Sequence, residues 1–238
     1  MNKRILITND DGIEADGIVR LAAAAKKYGE VWVVAPESQR SALSHSITLR
    51  SHIDVYEYDF PVGGVKAFAS TGTPADCVRL GILNIMPEKP DIVFSGINFG
   101  YNAGTDVQYS ATVGAAMEAV FQGVFAVALS EGATKGKMLT DLYLDKILSE
   151  VIDTPYVPRE IVNVNFPDCT PEEFKGILRD RVNSAGSVFT DRYNCEELSD
   201  GGKRYCVNGI LNDHFDDNTD LKALFSNYIS IGRVSNLR

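Results

Sequence analysis

The run Ile5-Leu6-Ile7-Thr8 leads straight into Asn9-Asp10-Asp11-Gly12, so an apolar stretch ends in two adjacent carboxylates and a glycine. Aliphatic and β-branched side chains without a turn residue suit a buried strand of a parallel sheet. Consecutive side chains on an extended strand point to opposite faces, so Asp10 and Asp11 can serve one ion only if the chain leaves the strand there. Gly12 permits that turn. The carboxylates are then expected at the carboxyl end of a first strand, where ligands bind in open α/β sheets. Like charges side by side repel, and a divalent cation relieves the repulsion. Taken alone, Asp-Asp-Gly is better explained as a surface turn with Asp10 as a helix cap. What the rest of the chain brings to the pair therefore decides its role.

Residues 15 to 28 place Ile18, Leu21, Ala22 and Ala25 at helical spacing, with Gly29 closing the helix. Residues 31 to 35 form a second buried strand stopped by Pro36. Strand, helix and strand in this order make a βαβ unit with a parallel sheet and a right-handed crossover. The polar segment from Pro36 to Ser46, with Arg40, Ser41 and His45, follows a strand end and so belongs to the rim of Asp10 and Asp11. Residues 46 to 50, 52 to 58 and 65 to 69 are expected as antiparallel strands at one side of the sheet. Thr73-Pro74 opens a helix whose buried face carries Cys77, Leu80, Leu83 and Met86.

The next apolar strand, 91 to 95, runs into Gly96-Ile97-Asn98-Phe99-Gly100-Tyr101-Asn102-Ala103-Gly104. The glycine spacing is neither a dinucleotide fingerprint nor a P-loop. Glycines this dense after a strand imply a close approach of backbone to something. Ser110 caps an alanine-rich helix through about Gln122, and residues 124 to 130 form another strand. Residues 1–130 thus read as a doubly wound, mostly parallel, Rossmann-like α/β core carrying the site. Residues 131–238 read as a smaller C-terminal part that partly completes the sheet and partly projects β-hairpins for oligomerisation.

A net charge of −9 argues against nucleic-acid polymers or anionic membranes as stable partners, since both need a positive field. The apolar run after Met1-Asn2-Lys3-Arg4 is too short for a signal peptide or a membrane span, so a cytoplasmic location is expected. The four cysteines, 77, 169, 195 and 206, show no zinc-like spacing. Cys195 and Cys206 could face each other across a hairpin, although reduced thiols are the expected state.

Collecting the strand-end loops brings together Asp10, Asp11, Ser41, Asn98 and Asn102, all of them oxygen donors. Two negative charges among oxygen ligands suit Mg²⁺ or Mn²⁺ better than zinc or copper. The helix N-terminus at Ser110, with Thr112 behind it, can hold phosphate oxygens, though Ser110 is equally well explained as an ordinary cap. The chemistry is that of a metal-assisted hydrolase of phosphate esters, with a non-hydrolysing nucleotide or phosphate sensor as the alternative. No Gly-x-Ser-x-Gly elbow supports a Ser-His-Asp hydrolase. A receiver-type signalling module fails too, because the strand from Asp91 ends in Ser95-Gly96-Ile97-Asn98 and the one from Val124 ends in Ser130-Glu131. His45 is read as stabilising its own loop, and Arg40 as a solvated charge.

In this order the motifs resemble the SurE family of stationary-phase survival proteins. The stretches that carry the resemblance are residues 5 to 12, Val33-Val34-Ala35-Pro36 with Arg40-Ser41, Gly72-Thr73-Pro74-Ala75-Asp76-Cys77-Val78, and Ser95-Gly96-Ile97-Asn98 through Asn102-Ala103-Gly104. Tyr109-Ser110-Ala111-Thr112-Val113 through Glu118 and Asn163-Val164-Asn165-Phe166-Pro167 continue it over nearly the whole chain. The resemblance implies metal ligation by Asp10, Asp11, Ser41 and Asn98; Asp10 and Asp11 are assigned the charge balance, with one of them as general base, and Asn102, Ser110 and Thr112 are the weaker candidates for holding phosphate. It also implies 5′- and 3′-nucleotidase activity on nucleoside monophosphates, some members attacking short polyphosphate, in cytoplasmic dimers or tetramers. Ala42, Ala111 and Ala119 stand where the family commonly has glycine. The family usually continues beyond the strand at 228 to 232 into a helix that helps exchange arms between subunits, and the sequence here runs to Arg238.

Overall fold

The computed structural model describes residues 2–235. Its elements follow the chain as β1 (Lys3–Thr8), α1 (Asp16–Ala25), β2 (Gly29–Pro36), β3 (Val55–Tyr58), β4 (Lys66–Ser70), α2 (Pro74–Leu80), β5 (Ile92–Phe99), α3 (Ala111–Phe121) and β6 (Phe125–Glu131). They continue as α4 (Gly136–Val151), β7 (Glu160–Phe166), β8 (Gly176–Arg181), β9 (Phe189–Thr190), β10 (Tyr193–Glu197), β11 (Lys203–Val207), β12 (Ile210–Leu211), α5 (Asp220–Phe225) and β13 (Tyr228–Ser235).

Nine strands form one sheet in the order β3-β4-β2-β1-β5-β6-β7-β13-β8. From β4 to β7 every neighbouring pair is parallel. From β1 the chain progresses one way through β2 and β4 and the other way through β5, β6 and β7, so the strand order reverses between β1 and β5. That reversal is the topological switch point of a doubly wound sheet.

Alternation along the strands fills both faces. Ile5 and Ile7 of β1 pack with Ile18 and Leu21 of α1 and Leu144 and Ile147 of α4 on one side. Leu6 faces the other side, with Cys77 and Val78 of α2 and Met117 of α3. At roughly 1.5–3 kcal/mol for each large apolar side chain buried, these two layers stabilise the sheet that presents the strand ends. The sheet runs on past residue 130, because β7, β13 and β8 extend it. Beyond it lie two small ribbons, β10 with β11 and β12 with β9.

Several local expectations are corrected. Residues 46 to 50 are not a strand, because the Thr48 N–H bonds the Asp76 carboxylate at 3.0 Å instead of a ladder partner. β4 is parallel to β2, and only β3 pairs antiparallel to it. Leu83 is exposed rather than buried, because α2 passes into a π-helical turn at Gly81–Ile85; the wider winding shifts the buried face off the 3.6-residue period. Cys195 pairs with Tyr205 and Cys206 with Asn194, which puts the two thiols on opposite faces of their ribbon, both free.

Candidate active site

β1 ends at Thr8, and Gly12, at φ +100°, carries the turn that only glycine adopts without strain. Asp10 is 4 % exposed. Its Oδ1 accepts a 2.6 Å hydrogen bond from the Thr112 hydroxyl, and its carbonyl accepts the Arg40 N–H at 2.7 Å. Asp11, half-buried beside it, accepts the Phe99 N–H at Oδ2 over 3.1 Å. Gln39 adds a side-chain hydrogen bond to Asp11 and donates from Nε2 to Ser41 Oγ at 3.0 Å. The Asn98 amide donates to the Gly100 carbonyl at 2.8 Å, so its oxygen is the atom left for a ligand. β5 reaches Asn98 through an irregular register after Ser95. Asp10, Asp11, Ser41 and Asn98 are thus joined through Arg40, Gln39 and Phe99 into one rim at the switch point.

Burial drives the electrostatics. Desolvation pushes the Asp10 carboxyl up to about 6, opposed by the Thr112 bond and reinforced by the Asp11 charge. Asp11 is also raised by burial, against the hydrogen bonds from Phe99 and Gln39. Among the described residues no lysine, arginine or histidine forms an ion pair with either.

The three residues expected at a phosphate are placed differently from one another. Ser110 caps α3, accepting the Val113 N–H at 3.1 Å. Thr112 is fully buried with its hydroxyl on Asp10. Asn102 is stitched to the neighbouring strands: its side-chain amide donates to Ser130 Oγ at 2.8 Å, and its carbonyl accepts from Asn163 and Asn165.

The loop bearing Ser41 is held by His45, as the sequence suggested, but through a partner on α3 that the sequence did not point to. His45 Nε2 lies 2.8 Å from Glu118 Oε2, and its ring stacks on Phe121. Burial alone would raise Glu118, yet hydrogen bonds from His45 and Gln122 hold it below the usual carboxylate range. The loop lies so close to α3 that a Cβ on Gly114 would meet the Ser44 carbonyl oxygen at 2.4 Å. A lone glutamate on an otherwise apolar, alanine-rich helix was the available signal for Glu118. Gln39 gave none beyond its place two residues before Ser41.

The family model described as "Survival protein SurE" matches residues 5–186. The chain belongs to the SurE family. A protein from Clostridium botulinum (strain 657 / Type Ba4) named 5'-nucleotidase SurE is 38% identical over 231 residues, covering 95% of this chain and 90% of that one. A protein of the same name from Thermoanaerobacter sp. (strain X514) is 38% identical over 235 residues, covering 96% and 90%. The crystal structure of the SurE protein from Aquifex aeolicus superimposes with a TM-score of 0.84 at 32% identity, covering 99% of this chain and 94% of that one.

Proposed function

We propose that this SurE protein is a metal-dependent phosphatase that hydrolyses nucleoside 5′- and 3′-monophosphates, with short polyphosphate as a further substrate. The observation that carries the reading is the Asp10 and Asp11 pair, desolvated at the switch point with no cation paired to it among the described residues. The donors around it are all oxygen, which fits Mg²⁺ or Mn²⁺ on Asp10, Asp11, Ser41 and Asn98. When bound there, a divalent cation stabilises charge on phosphoryl oxygens and acidifies water. Asp10 or Asp11 serves as the general base. Thr112 fixes the orientation of Asp10 through Oδ1. The Ser110 cap takes the Val113 N–H, so the N–H groups of Ala111 and Thr112 are those free to receive a phosphate oxygen at the positive end of α3. The relatives named 5'-nucleotidase SurE support the substrate class.

Homo-oligomerisation is proposed from the β10 and β11 ribbon, whose residues are all exposed, Tyr193 and Tyr205 included. A cytoplasmic location is proposed from free thiols and from the absence, among the described residues, of any helix long and apolar enough to cross a membrane.

The test is phosphate release from nucleoside 5′- and 3′-monophosphates, short polyphosphate and an aryl phosphate, with Mn²⁺, Mg²⁺ or EDTA. Release that EDTA abolishes is expected. Nucleotide binding without release under any metal would replace the phosphatase by a sensor.

A further inference from the structure

The end of β5 sends two neighbouring side chains to different places. Asn98 is buried at the metal-binding rim, while Phe99 is 66 % exposed. A single exposed aromatic needs no explanation by itself. Its position does, because the Phe99 N–H is the group that holds Asp11 Oδ2 at 3.1 Å. Both residues line one cleft of about 540 Å³, a size that accommodates a small ligand.

The charges in that cleft say which part of a nucleotide fits. Asp11, Asp16 and Glu131 face Arg20 and Lys137 there. Both cations are already engaged: Arg20 pairs with Asp16, Glu131 and Asp141, and Lys137 pairs with Asp16. Among the described residues that line the cleft acids outnumber bases and both cations are paired, so a second anionic group is repelled. An uncharged group with a flat apolar face is accepted.

We propose that this cleft receives the nucleoside portion of the substrate, with the base stacked on the Phe99 ring. The proposal rests on the phosphatase reading above and deepens it: the phosphoryl group sits at Asp10 and Asp11, and the leaving group extends past Asp11 over Phe99. Phe99 then sets the preference for nucleotides over phosphate esters that lack a base.

The experiment compares phosphate release from adenosine 5′-monophosphate and from ribose 5-phosphate by wild-type protein, F99A and F99W, all with Mn²⁺. Base–aromatic stacking predicts that F99A lowers the ratio of kcat/KM for nucleotide over sugar phosphate about tenfold, mainly through KM, and that F99W restores it. An equal loss on both substrates would show that Phe99 acts only through Asp11, and an unchanged ratio would show that it does nothing; either overturns the proposal. So does a fall in the ratio accompanied by a smaller species on size exclusion, which would assign the ring to an interface between copies. If wild-type protein releases phosphate from neither ester, the phosphatase reading fails separately. Calorimetry with adenosine 5′-monophosphate then decides: binding about tenfold weaker in F99A sustains the stacking site, and equal affinity removes it.

Discussion

Two groups of acids share the strand-end rim, and the chain treats them in opposite ways. Glu131, at the end of β6, is buried and paired with Arg20, which also reaches Asp16 at 2.7 Å and Asp141 at 2.8 Å. Asp10 and Asp11, just beyond the end of β1 and separated from β6 by β5, are raised by burial and have no cation paired to them among the described residues. A buried carboxylate without a partner costs stability, and the fold neutralises one where structure alone is at stake. The difference marks Asp10 and Asp11 as kept open for something that arrives from solution.

The contrast can be broken most severely at the open pair. D10N or D11N is expected to lower kcat on the order of 10³-fold with the fold intact by circular dichroism, since each removes one charge from the proposed cation site. Near-wild-type turnover at saturating metal in either variant would remove that residue from the site. At the paired group, R20A should lower the unfolding free energy in urea by about 3 kcal/mol, and R20A combined with E131Q should recover part of it, because the second change discharges the stranded acid. No recovery would mean the network stabilises by packing alone.

A third expectation follows from pH. Asp10 titrates at about 6 in the folded chain against 3.8 as its ordinary value, so between these the native state holds the extra proton. Its ionisation therefore destabilises the metal-free fold as pH rises through that window. In metal-free buffer D10N should be more stable than wild type by about 2 kcal/mol at pH 7, the gap closing toward pH 4. A gap independent of pH would contradict the assignment. The smallest effect concerns the Ser41 loop, where Ala42 sits at φ +59°. A42G relieves that conformation and should raise stability by about 0.5–1 kcal/mol, read as a shift in urea midpoint.

The open pair was legible in the sequence because strand, carboxylates and glycine are consecutive, so short-range rules place them. Asn98 was legible for the same reason, as a polar residue in a glycine-rich strand exit. The paired group was not: Arg20 and Glu131 lie 111 residues apart, and each looks like an ordinary surface charge on its own element. His45 and Glu118, 73 residues apart, escaped for the same reason. The parallel placement of β4 was missed because a short Gly-Gly turn suggests a hairpin whether or not the following strand also joins β2. The reversal of strand order between β1 and β5 depends on pairing between distant segments that no local pattern records.

The Thr112 to Asp10 hydrogen bond joins residues 102 positions apart. Contacts of such separation close large loops, whose entropy cost must be met before the contact rewards it. Only with α3 packed on β5 and β6 does the Thr112 hydroxyl reach Asp10 and orient it among the other oxygen donors. On the reading proposed above, a cation held by Asp10, Asp11, Ser41 and Asn98 recognises the finished molecule and not its precursors, so its binding energy adds to the native state. On that same reading the ion acts as a final inspection of the folded chain, and starvation for metal is expected to shorten the protein's lifetime.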